Sequence, residues 1–384
     1  MEGDIVTLMK VWPPVVISLC YCYWIRKVVP PGTIRLLLLL PIIFLYIVLP
    51  LSFSSVHLSG TIGFFLGWLA NFKLLLFAFD KGPLSSDQFI SLPRFVAVAC
   101  LPIKIQQTAP GSTHTQHSST KNGKTPHPDP SKSSGFDTHP SSKKPNSASQ
   151  PKQNLSSVNG GTPLVGYALK GVALGVLVKI YDYSESINPK VIMCMYCFHI
   201  YFMLEIILAV VAAMAKSTLG IELEPQFKDP LCSTSLQDFW GRRWNLMVTS
   251  ILRPTVYEPT LKGASKVVGS RWAPLPAVMG TFVVSGLMHE LILFYLGRLE
   301  PTFRMTCFFL LHGICLVAEI ALKTTLTGRW RLPRFVSGPL TVVFVMGTSL
   351  SLFLPEFIRC RVDVRAFEEY AALGHLLTAL KSFL

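Results

Sequence analysis

The chain has 384 residues, half of them hydrophobic and only 15% charged, with a mean hydropathy of +0.46. Soluble domains carry roughly 25% charged residues, and here the charges gather in short clusters between long apolar runs. This excludes an ordinary soluble domain and indicates an all-α, polytopic membrane protein. The formal charge of +14 is read as orientation, because Lys and Arg accumulate in cytoplasmic loops, and not as a nucleic-acid footprint.

Taken in order, apolar spans are predicted near residues 5–25, 34–53, 58–79, 163–182, 190–215, 274–297 and 335–355. An eighth, at 303–322, carries His312 and Glu319, and the total expected is about 7–9 transmembrane helices. The first span has no small-residue cleavage site and ends in Tyr23-Trp24-Ile25-Arg26-Lys27, so it reads as a retained anchor. Residues 88–103 are apolar but short and interrupted by Pro93 and Arg94, which predicts an interfacial or re-entrant segment. Residues 104–162 break from this pattern, and within them Thr113 to Asn159 is rich in Ser, Pro, Lys, Asn and Gln and almost free of aliphatic side chains. Such a stretch cannot bury enough surface to offset its chain entropy and is predicted to be a disordered linker. His114, His117, His127 and His139 within it offer no preorganised metal geometry. Asn154-Leu155-Ser156 matches a glycosylation sequon, silent on the predicted cytosolic side.

The expected organisation is therefore N-terminal helices over 1–103, the linker over 104–162, a second membrane region over 163–359 and a C-terminal tail over 360–384. Arg26, Lys27, Arg35 and Lys81 fall on one side and the acidic loop at 182–188 on the other. This predicts a lumenal N-terminus and cytosolic large loops. The basic tail (Arg359, Arg361, Arg365, Lys381) does not fit an even number of crossings. The nine cysteines are scattered, and Cys194 and Cys197, though spaced C-x-x-C, lie inside a span with no second pair; they read as packing residues. No internal repeat is found, which weighs against a transporter fold.

Two stretches carry chemistry. The first runs from Ser235 through Phe239-Trp240-Gly241-Arg242-Arg243-Trp244-Asn245 to Arg253. Ser235 is expected to cap a helix running to Pro254, with Phe239, Leu246 and Met247 on one flank. Trp240 with Trp244, and Asp238 with Arg242, are i,i+4 pairs. The segment reads either as an amphipathic helix at the headgroups or as a binding site. In the second reading Arg242, Arg243 and Arg253 meet phosphates of a nucleotide-bearing donor, and Asn245 donates to a developing oxyanion. The second stretch is the span Pro274–Gly297, in which His289 and Glu290 are the only ionisable residues. Ionisable groups at that depth are costly and default to function, and a histidine can take and return a proton near neutral pH. Ser285 lies i,i+4 from His289, while Glu290 is rotated about 100° away and is not expected to bond it along the same face. The other reading of His289 is a core histidine bonded to a neighbouring helix. His312, Glu319 and Lys323 are expected to form an interhelical or end-of-helix network.

The Phe-Trp-Gly-Arg-Arg-Trp-Asn245 motif, followed 44 residues later by His289 in an apolar helix, resembles the pattern of membrane-bound O-acyltransferases. More closely, Ser235–Asn245 and Arg253-Pro-Thr-Val-Tyr-Glu-Pro259 resemble the plant wax synthase family, the long-chain-alcohol O-fatty-acyltransferases. Leu19–Tyr23 and Trp68–Asp80 extend the likeness to most of the chain outside the linker, which is longer than the family's pattern. The resemblance implies a fold of that type over 163–359 and an acyl-CoA-dependent acyltransferase in the endoplasmic reticulum. It implies His289 as general base and Asn245 as oxyanion or thioester partner. Trp240, Arg242, Arg243, Trp244 and Arg253 would bind acyl-CoA, which is a co-substrate; no cofactor or metal is implied. Fatty acyl-CoA, a long-chain fatty alcohol and the bilayer are the expected partners. A sterol or diacylglycerol acceptor is the alternative; a proton-coupled transporter using His289, His312 and Glu319 stands outside both.

Overall fold

The computed structural model describes residues 2–85, 91–102, 163–219, 225–326 and 332–383, and every regular element among them is helical. The expected linker, its four histidines and the sequon lie outside the described residues. The described residues within 2–102 and 166–383 form one compact unit, so the stretches flanking the linker pack together rather than as separate bodies.

Among the described residues, seven helices are long and apolar enough to cross a bilayer: Gly3–Val28, Thr33–Ser52, Val56–Ala78, Pro189–Thr218, Pro274–Gly297, Arg304–Thr325 and Arg334–Arg359. The first helix, α1 (Glu2–Val28), places Val11, Val15, Leu19, Cys22 and Ile25 at three- and four-residue spacing. That spacing lines one helical face, which packs on α2 (Thr33–Val48) and on the third span. The third span comprises α3 (Val56–Ile62), a π-helical stretch over Gly63–Ala70 and α4 (Asn71–Ala78).

The segment expected at the interface forms α5 (Leu92–Cys100), nine residues long. At 1.5 Å per residue it covers only about 14 Å, half a bilayer core. Phe95, Val98, Ala99 and Cys100 are buried against α1 and α4. The ammonium of Lys73, itself fully buried, donates to the Val98 carbonyl at 2.7 Å and also to that of Leu101. These are carbonyls that a helix end leaves unsatisfied, so the lysine lets a short helix stop inside an apolar environment.

The span expected at 163–182 is α6 (Pro163–Ile180), 18 residues long and outside the set of seven. It leads through a 3₁₀ turn to α7 (Pro189–Leu219). The polar-aromatic stretch is broken into α8 (Leu236–Asp238), a π turn over Phe239–Arg243 and α9 (Leu246–Leu252). A second π turn (Arg253–Tyr257) leads into α10 (Glu258–Val267). The remaining α-helices are α11 (Pro274–Gly297), α12 (Arg304–Thr325), α13 (Arg334–Thr348), α14 (Leu354–Arg359) and α15 (Val362–Phe383), with a π-helical stretch over Ser349–Phe353 joining α13 to α14. The expected tail is thus a helix.

Two contacts fix α11, which carries His289. Tyr295 donates its hydroxyl to the Ile47 carbonyl at 2.7 Å. Its ring lies over Gly63, where an added Cβ would sit 2.6 Å from the Tyr295 ring. On the other face, a Cβ on Gly313 of α12 would meet Phe282 at 2.9 Å. Glycine at these points lets α11 sit close to α3 and α12.

Candidate active site

The expected single helix from Ser235 to Pro254 does not form. Ser235 does cap, accepting from the Asp238 amide at 3.1 Å, but the helix stops at Arg243. Trp244 is extended and Asn245 takes a left-handed conformation (φ 40°, ψ 66°). The reason is tertiary: the Lys228 amide donates to Arg243 O and the Leu246 amide to Gln226 O, at 3.0 and 2.9 Å. The π register also changes the ion pair. Asp238 meets Arg243 at 2.8 Å, five residues on, and not Arg242.

The break turns Trp240 and Trp244 toward α11. Together with His289, Tyr201, Phe309 and Phe353 they line a cavity of about 130 Å³. The wall is almost wholly apolar; besides His289, the cavity also touches Ser349, Tyr201 and Cys197. Cys194 and Cys197 are free cysteines. The cavity has room for a reacting centre, while long hydrocarbon chains would have to extend beyond it.

His289 Nδ1 lies 2.7 Å from the Ser285 carbonyl. A carbonyl only accepts, so Nδ1 carries the proton and Nε2 keeps its lone pair. Phe309 covers the ring at 4.3 Å between centroids and Trp68 meets it edge-on at 5.2 Å. The core-histidine reading is met only in part: the one bond runs to its own helix, and the other nitrogen has no hydrogen-bond partner among the described residues. Glu290, 5% exposed, turns away as expected, and its Oε1 accepts from the Thr306 amide and hydroxyl at 3.0 and 3.3 Å. It caps the first turn of α12.

The other predicted residues divide. Asn245 is absent from the cavity wall, although its neighbour Trp244 is in it. Its Oδ1 accepts from the Val248 amide at 3.4 Å, making it the N-cap of α9, and its amide nitrogen has no partner among the described residues. Arg243 is held by Asp238 and by the Lys228 and Asp229 carbonyls. Arg253 makes an exposed pair with Glu258 at 3.5 Å, and Arg242 is exposed. None of the three arginines lines the cavity.

The network around His312 is interhelical, but His312 and Glu319 act at separate points. Glu319 accepts from the Leu236 and Gln237 amides at 3.0 and 3.4 Å and pairs with Lys323. His312 bonds Trp240 and Thr348. Both therefore hold the polar-aromatic segment, which sequence reasoning missed. Their i,i+7 placement on one face of an apolar helix was the available signal. Tyr201, Phe309 and Phe353 had no signal beyond membership of apolar spans.

Residues 223–311 match the model of the membrane-bound O-acyltransferase family. The acyl-CoA–sterol O-acyltransferase 1 of Arabidopsis thaliana is 47% identical over 96% of this chain and 95% of its own. The long-chain-alcohol O-fatty-acyltransferase of Simmondsia chinensis is 41% identical, covering 97% and 96%. A probable long-chain-alcohol O-fatty-acyltransferase 1 of Arabidopsis thaliana is also 41% identical, over 96% of both chains. The chain belongs to the plant wax synthase family of membrane-bound O-acyltransferases. As a wax synthase family member it is a multi-pass integral membrane acyltransferase. The part matched by the family model contains the broken helix, α11 and the first turns of α12.

Proposed function

We propose that this protein transfers a fatty acyl group from acyl-CoA to a long-chain alcohol, forming a wax ester and free CoA, in the endoplasmic reticulum membrane. One observation carries the reading. His289 Nε2 is left with a free lone pair on the wall of an apolar cavity, with Nδ1 anchored to Ser285 O at 2.7 Å. Nε2 removes the hydroxyl proton as the alcohol oxygen attacks the thioester carbonyl carbon. The tetrahedral centre then collapses, the C–S bond breaks, and the CoA thiolate leaves with the proton returned from Nε2. Nδ1 stays protonated throughout, so Ser285 O holds the ring in the productive tautomer and stabilises the transient imidazolium. The Asn245 amide supplies the donor for the oxyanion when substrate is bound. Arg242 and Arg253, on the exposed surface, meet the CoA phosphates, while Trp240 and Trp244 bound the cavity in which the acyl thioester and the alcohol meet. Arg243 acts by holding Asp238. The route uses acyl-CoA as a co-substrate and needs no cofactor or metal.

Positioning plus proton transfer suffices in energetic terms, because a thioester already carries a good leaving group and general base catalysis contributes about 10²–10⁴-fold. The long-chain-alcohol names among the relatives favour that acceptor. The sterol named in the 47% identical relative is an arm of the test. Microsomes from a host lacking neutral-lipid acyltransferases would receive labelled palmitoyl-CoA with fatty alcohols, sterol or diacylglycerol. Ester is expected with the alcohols, and His289→Ala should abolish it while the protein stays inserted. Ester with sterol alone would overturn the acceptor, and unchanged turnover in His289→Ala would overturn the base. Co-fractionation of the activity with a marker other than that of the endoplasmic reticulum would overturn the location.

A further inference from the structure

Trp240 forms part of the cavity wall that faces His289. Its ring is boxed edge-on by Phe282 at 5.5 Å and tilted against Phe309 at 5.8 Å. Ring packing of this kind permits sliding. Among the described residues the indole makes one polar contact, from Nε1–H to His312 Nδ1 at 3.2 Å, and this sets its position along the rings. An indole nitrogen only donates, so His312 Nδ1 must be the unprotonated nitrogen. The proton is then on Nε2, which lies 2.8 Å from Thr348 Oγ1. That hydroxyl in turn donates to the Phe344 carbonyl at 2.8 Å. The chain Trp240–His312–Thr348–Phe344 thus has one direction of donation throughout. His312 is locked in the tautomer opposite to that of His289.

His312 is fully buried, between Phe308 at 4.3 Å and Phe344 at 5.0 Å. No water can replace either of its partners there. Removing the acceptor would strand a buried indole N–H, and a stranded donor costs more than the hydrogen bond nets when it is made. The indole would then have to shift, and the empty volume beside it is the cavity.

We propose that His312 is a positioning residue that sets the cavity wall through Trp240 and thereby fixes where the substrate chains leave the reacting centre, which sets the preferred chain length. This rests on the acyl-transfer reading of the cavity. His312 touches no reacting atom; it acts through the indole. A wall displaced by a fraction of a methylene changes which chain seats best, because one methylene in an apolar pocket discriminates about 10–200-fold.

The test measures ester formation against a series of saturated alcohols from decanol to eicosanol, with one labelled acyl-CoA. His312→Phe keeps a ring and removes the acceptor. It is expected to change the ratio of kcat/KM between short and long alcohols by about fivefold or more, with KM moving more than kcat. His312→Asn, whose carbonyl oxygen replaces Nδ1 as acceptor, should return the profile toward wild type. Thr348→Val should shift it less and in the same direction, and it decides the matter where His312→Phe does not fold. On a Trp240→Phe background, where the indole N–H is already gone, His312→Phe should produce no further change in the profile. A uniform fall across all chain lengths in both His312→Phe and Thr348→Val would overturn the proposal. If the wild type forms no ester with any acceptor, the acyl-transfer reading has failed instead. The chain-length dependence of thermal stabilisation by added alcohols then tests His312 alone: a profile shifted by His312→Phe supports it, and an unchanged one overturns it.

Discussion

In the proposed mechanism Asn245 combines two roles that sequence motifs do not separate. Its left-handed backbone suits asparagine, which populates that region several-fold more than most residues, and its Oδ1 caps α9. Its amide nitrogen is the donor that the proposed mechanism assigns to the oxyanion. Asn245→Asp keeps the left-handed conformation and the capping oxygen but has no amide N–H to offer. It is expected to hold stability within about 1 kcal/mol of wild type, since the cap survives. Ester formation should fall by about 10²–10³, the usual loss for one oxyanion donor. Asn245→Gly keeps only the backbone conformation and should lose both. Parallel assays of turnover and thermal inactivation separate the roles, and a wild-type rate in Asn245→Asp would reduce Asn245 to a turn residue. The residue was legible through its motif. Its capping role was legible too, as an Asn immediately before the apolar run 246–252, but the expectation of an unbroken helix hid it.

Elements show why that expectation failed. Periodicity over 235–253 is helical, and Asn245 alone does not outweigh it. The break comes from backbone hydrogen bonds to Gln226 and Lys228, which lie twenty and fifteen positions before their partners Leu246 and Arg243. Where the determinants were local, the sequence sufficed: apolar stretches long enough to span became helices, because a bilayer leaves the backbone no other partner. Close approaches between spans were not legible, since apolar helices read alike whatever they face. Gly63 is the sharpest case, with Tyr295 2.6 Å from where its Cβ would stand. Gly63→Ala should overpack this contact and cost about 1–3 kcal/mol. It would also push away the helix that carries His289. Thermal inactivation in detergent should show the loss, together with lower turnover per folded molecule. Pairing it with Tyr295→Leu, which frees the space but gives up the bond to Ile47 O, should recover part of the stability. No coupling between the two substitutions would mean that this contact does not set the spacing.

At the scale of the whole molecule, the C-terminal arginines explain why charge counting could not assign the tail to a side. Arg359 pairs with Glu356 and donates to the Glu300 carbonyl, and Arg365 donates to the Leu296 and Ser54 carbonyls. They satisfy carbonyls at turns and helix ends and so join the tail to both halves of the chain. Glu369 completes the join. Its carboxylate accepts from Ser55 Oγ at 2.8 Å, from the Val56 amide at 2.6 Å and from His57 Nδ1 at 2.6 Å. Next to it, Tyr370 OH lies 3.1 Å from His57 Nε2 and 3.0 Å from His199 Nε2. Burial alone pushes the Glu369 carboxyl up, but these hydrogen bonds win and hold it at about 2. An unfolded glutamate titrates near about 4.3. With the folded value depressed, the contribution of Glu369 is fully present above that unfolded value and is lost as pH falls through about 2. Hydrogen exchange of the α15 amides in detergent, corrected for intrinsic rates, should therefore show protection that is flat above pH of about 5 and declines on acidification. Glu369→Gln should exchange faster at neutral pH and lose most of that acid dependence. An equal acid response in Glu369→Gln would move the switch to another group, and flat protection in the wild type down to the acid limit would show that the carboxylate does not hold the tail.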